Sequence, residues 1–101
     1  VIYAGGPMNN PERYLEQALD IDPTETLARA YYGEIAPQRV AIFLRYAEFA
    51  EAEAYLDRFE RYVPENIDVW KLREKLYSTW GQPEKAAAAQ KKYDELLSVG
   101  R

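Results

Sequence analysis

The side chains that could do chemistry are few, and what is missing narrows them further. Asp20-Ile21-Asp22 has the spacing of a metal-binding acidic pair, and Glu48, Glu51 and Asp57 could be drawn together as carboxylate ligands. Ser78 and Ser98 are the only serines, and the chain has no His to activate either. It has no Cys. Thiolate zinc sites, disulfides, imidazole-held haem, Cys-His or Ser-His catalysis and His-based pH sensing are therefore excluded. Gly5-Gly6 is not followed by the Lys-Ser/Thr of a phosphate loop. Asp20 and Asp22 stand just before Pro23, where capping and turn formation account for both acids. Glu48, Glu51 and Asp57 have no calcium-loop spacing and suit a solvated helix face. The expectation is no catalytic residue, no metal, no cofactor and no enzyme.

The elements that would have to position any site read as helices. Asn10-Pro11-Glu12 starts one, with Asn10 as cap, Pro11 in the first turn and Glu12 at the positive end of the dipole. Leu15, Ala18 and Leu19 give it an apolar stripe ending near Ile21. Asp22-Pro23-Thr24-Glu25 repeats the signal as a capping box, and the helix it opens carries Leu27, Ala30, Tyr31 and Ile35. Pro37 reads as the start of a further helix, because an internal proline costs about 3 kcal/mol. The apolar positions Val40, Phe43, Leu44, Ala47 and then Phe49, Ala52, Leu56, Phe59, Val63 slip in phase near 47–50. A tight turn explains the slip; one long bent helix is the alternative. Val69, Leu72, Leu76 and Trp80 share a helix face. Gly81 suits a left-handed C-terminal cap, and Pro83 opens a last helix that stops before Gly100. The sum is an all-α chain of about six helices, preceded by an extended or mobile arm over 1–9.

At 101 residues the chain holds one domain, placed at 10–99, and 48 % hydrophobic content is too apolar for a disordered one. Its longest apolar run, Val40–Leu44, is far too short to span a bilayer. Residues 1–68 carry thirteen acids and six bases, residues 69–101 four acids and seven bases. That is not the basic face of a nucleic-acid binder. It is either an ordinary mixed surface or a lengthwise dipole favouring head-to-tail contacts. The first residue is Val1, so a processed, exported or fragmentary chain stays open and no compartment is implied.

Repetition is visible at a separation of 41 residues, where Leu15/Ala18/Pro23 aligns with Leu56/Phe59/Pro64. Trp70, Leu76, Tyr77, Gly81 and Ala86 have the spacing of a tetratricopeptide repeat. Phe43, Tyr46 and Phe49 are similar to the half-a-tetratricopeptide variant. The chain thus resembles the tetratricopeptide family over about 10–98, with Arg73 and Glu74 where the family has Leu and a small residue, and Ala47 in place of a turn glycine. The resemblance implies an α-solenoid of antiparallel hairpins, about two and a half repeats. Its N-terminal end would be open unless the arm or another chain covers it.

The resemblance also implies function: a non-catalytic scaffold that binds a peptide or helix of another protein along the inner face of the A helices. Transferred to this chain, that face offers Gln38, Ala41, Leu44, Arg45, Asp68, Lys71, Lys75, Ser78 and Thr79, with Arg45, Lys71 and Lys75 able to meet carboxylates. The alternative is a structural subunit of a larger or self-repeating assembly, homo- or hetero-oligomeric, docking through its open end and arm. Nine tyrosines fit either reading. Tyr31 and Tyr32 cannot both face one core, since adjacent helical residues lie about 100° apart.

Overall fold

Each helix begins where the sequence supplies a partner for the orphan backbone amides. The computed structural model describes residues 10–99; the expected arm over 1–9 lies outside them. In α1 (Pro11–Ile21), Asn10 Oδ1 accepts the Glu12 amide at 3.0 Å. For α2 (Thr26–Arg45) the cap is Glu25, whose carboxylate accepts the Ala28 amide at 2.9 Å. Asp22, the expected cap, instead accepts the Thr24 amide and hydroxyl at 3.0 and 2.7 Å and shapes the preceding turn. Three further helices follow: α3 (Phe49–Tyr62), α4 (Asp68–Trp80) and α5 (Pro83–Val99).

The described chain is all-α, with five helices rather than six. The correction lies at Pro37, which sits inside α2 and does not open a new helix. Proline removes one amide bond, to the Gly33 carbonyl, and crowds that carbonyl. Its ring, however, is on the exposed side, while Ala28, Tyr32, Ala36 and Val40 bury the opposite side at four-residue spacing. Both halves of α2 are thereby anchored to one core, and burial outweighs the local proline penalty.

The phase slip near 47–50 is a turn. Ala47 takes φ 56°, its amide reaches Leu44 O at 3.1 Å, and the Glu48 amide reaches Phe43 O at 2.8 Å. The α4–α5 turn repeats this geometry with Gly81 at φ 79°, the Gly81 amide on Ser78 O and the Gln82 amide on Tyr77 O. Both are Schellman closures, one using Gly and the other Ala.

Each helix packs on its predecessor, and α2 also reaches α4, within a slab 37 × 33 × 15 Å. The core centres on Tyr32, Val40, Leu56, Phe59, Val69 and Leu76, with Tyr32 and Phe59 edge-to-face at 5.0 Å. Gly33 lets α2 pass the α3–α4 turn closely, since a Cβ there would lie 2.8 Å from Asn66 Nδ2. Among the described residues no helix is long and apolar enough to cross a membrane.

Candidate functional site

Of the expected inner-face residues, Asp68, Lys71, Lys75, Ser78 and Thr79 lie exposed on α4, within an arc of about 100° of that helix. Gln38, Ala41 and Arg45 are exposed on α2, and Leu44 is half-buried there. Two of the α4 side chains already have neighbours: Lys71 Nζ lies 5.6 Å from the centre of the Tyr93 ring on α5, and Ser78 Oγ donates to Glu74 at 3.1 Å. None of the residues lines any of the grooves described below. Asp20 and Asp22 lie at the α1–α2 junction, with Asp22 occupied by Thr24.

The dominant polar feature is a buttress under α1. Glu12 and Glu16 are both buried. Glu12 Oε2 accepts the Tyr55 hydroxyl at 2.6 Å and Arg39 Nε at 2.7 Å. Glu16 Oε2 accepts the Tyr32 hydroxyl at 2.5 Å, and its carboxylate also pairs with Arg58. Glu12 Oε1 is buried with no hydrogen-bond partner among the described residues. Burial, followed by donation to Glu16, pushes the Tyr32 hydroxyl well above the ordinary tyrosine value. Burial and Glu12 do the same to Tyr55. These contacts tie α1 to α2 and α3 and line a groove of about 500 Å³ that also takes in Asn10, Arg13, Phe43 and Glu51. Through Glu12 Oε2 and both oxygens of Glu16, the two carboxylates hold the helices together.

A second polar anchor is Arg73, buried on α4, whose guanidinium reaches Asp57 at 2.9 Å and Glu60 at 2.7 Å on α3. Burial opposes its charge, and the two carboxylates more than restore it.

Sequence reasoning missed Glu12 and Glu16 as interior residues, although a signal was present. They fall at the three- and four-residue spacing of Leu15 and Leu19, which places them on the apolar face of α1.

The outer side of α1 and α2 is different in character. Tyr32 is 1 % exposed and its neighbour Tyr31 48 %, as their angular separation requires. With Tyr31, the exposed large apolar side chains include Leu27 (79 %) and Ile42 on α2, Tyr46 at its C-terminus, and Tyr14 and Ile21 on α1. A shallow groove of about 480 Å³ runs between the helices, lined by Leu15, Leu27, Ala28, Ala30, Tyr31 and Glu34. At the opposite end of the chain, the exposed positions of α5 include Glu84, Lys85, Gln90, Lys91, Lys92, Asp94 and Glu95. α5 also exposes Leu97 and Val99 near its C-terminal end.

No known protein family, curated protein or solved structure matches the chain.

Proposed function

We propose that the chain is a non-catalytic protein-interaction module built of tetratricopeptide-like hairpins, which takes a helix or peptide of another protein on the outer face of α1 and α2. The observation that carries this reading is the set of exposed apolar side chains at Tyr14, Leu27, Tyr31 and Ile42, with Leu27 and Tyr31 lining a shallow groove against Leu15 of α1. Helical repeats bury their faces by stacking, and an apolar terminal face is where the next element docks. Aromatic side chains are also the type enriched at interface cores. The buttress of Glu12 and Glu16 supports the reading from beneath, because it holds α1 in place without using the outer face.

The test is site-specific photocrosslinking in the cell that makes the protein, with the reactive side chain at position 31 or, as control, at position 91 on α5. Protein adducts from 31 and not from 91 are expected. Equal adducts from both, or none from 31, would refute the reading.

A second reading places an acidic peptide along the exposed arc of α4, because Lys71 and Lys75 share it with Asp68, Ser78 and Thr79. Charge reversal at Lys71 and Lys75 would then abolish partner binding with helicity intact, whereas the α1–α2 reading expects binding to persist.

A further inference from the structure

From the arrangement of charge on α2 we infer that a second copy of this chain is an occupant of the α1–α2 face, with the two α2 helices packed antiparallel about a two-fold axis. The inference rests on the reading of that face as an interaction surface and names its partner.

Four charged residues lie on α2. Arg29 pairs with Glu65 and Arg39 with Glu12. Glu34 and Arg45 have no ion-pair partner among the described residues, and both are exposed. They are eleven residues apart, so they lie within about 20° of one another around the helix and about 16 Å apart along it. A single exposed strip therefore carries one negative and one positive charge three turns apart.

A two-fold axis midway between them brings each Glu34 opposite Arg45 of the partner subunit, making two reciprocal ion pairs. A parallel pairing in register would set like charges opposite each other. The same antiparallel register places Ile42 close to the axis and sets Tyr31 within about 3 Å, along the helix, of the partner's Tyr46, which is 66 % exposed. One operation thus neutralises both charges and covers Tyr31, Ile42 and Tyr46, three of the large apolar side chains exposed along α2 and its cap. An isologous contact requires such self-complementarity.

The strip is one helix wide and about 30 Å long, smaller than a standard interface. The dimer is accordingly expected to be weak and to dissociate on dilution.

Sedimentation equilibrium of the full chain, from low micromolar to millimolar concentration, tests this. The wild type should self-associate. Glu34→Arg and Arg45→Glu should each weaken the dimer about tenfold, since two exposed ion pairs become repulsions, and the double reversal should restore it. Circular dichroism of the diluted variants checks that the exposed substitutions leave the helices intact. A chain that stays monomeric throughout overturns the inference, as does a dimer indifferent to both reversals. Either result leaves the broader interaction reading standing, since that one is tested separately by the adducts from position 31. A crosslinked adduct of twice the chain's mass would support the second copy, and adducts only with a different protein would overturn it.

Discussion

Replacing Glu12 by Ala removes the acceptor that Tyr55 and Arg39 share, and its cost follows from how each donor is left. The Tyr55 hydroxyl donates to Glu12 at 2.6 Å and belongs to a half-buried residue. A buried donor stripped of its acceptor costs about 1–2 kcal/mol. The Arg39 side chain is 36 % exposed, so it regains water and adds less than about 1 kcal/mol. Loss of the stem packing brings the total to about 2–3 kcal/mol, a large part of the roughly 5–15 kcal/mol expected for a domain of this kind. In urea, followed by far-ultraviolet circular dichroism, the midpoint should fall by about 1–2 M. Tyr55→Phe alone should cost about 1 kcal/mol. The double variant should cost less than the two singles added, because the second change removes a group the first has already orphaned. A Glu12→Ala penalty under about 0.5 kcal/mol, or strict additivity with Tyr55→Phe, would show that the buttress does not hold α1.

Three other outcomes are expected. Ala47→Gly should raise stability and Gly81→Ala lower it, each by about 1 kcal/mol, since both positions have positive φ; thermal melts that move together would contradict this. Arg73→Leu should cost no more than about 1 kcal/mol, because the carboxylates it leaves, Asp57 and Glu60, are 59 % and 37 % exposed and regain water; a drop above about 2 kcal/mol in urea unfolding would contradict that. Burial and carboxylate partners raise the folded-state values of Tyr32, Tyr55 and Tyr77, so the folded state holds these protons more tightly than the unfolded chain. Their contribution is complete below the ordinary tyrosine value of about 10 and is lost as pH rises beyond it. Urea midpoints should fall above that value, less steeply in Tyr32→Phe and Tyr55→Phe; an equal fall in those variants would refute the assignment.

The helices were legible wherever the sequence carries both a start signal and a period. Asn10-Pro11 and Gly81-Gln82-Pro83 marked real boundaries, and the slip near Ala47 marked a real turn even though no glycine stands there. Pro37 misled because its local cost is visible in the sequence, while the burial of Ala36 and Val40 that offsets it depends on helices distant along the chain. Glu12, Glu16 and Arg73 were harder for the same reason. A charged residue on an apolar face reads as solvated until the donor or acceptor from another helix is known, and Tyr32, Tyr55, Asp57 and Glu60 supply those partners. The split between Tyr31 and Tyr32 was legible from helical geometry alone. The continuous exposed strip along α2 was not legible, because it depends on that helix running unbroken through Pro37.

Hydroxyl-radical footprinting in the producing cell, compared with the purified chain at low micromolar concentration, tests the interaction face most directly. Leu27, Tyr31, Ile42 and Tyr46 are exposed in the isolated chain. Lower oxidation of these side chains in the cell, with Val99, exposed at the end of α5, oxidised equally in both, is the predicted result. Equal oxidation of the α2 strip in both settings would contradict the assignment of that face to a protein partner.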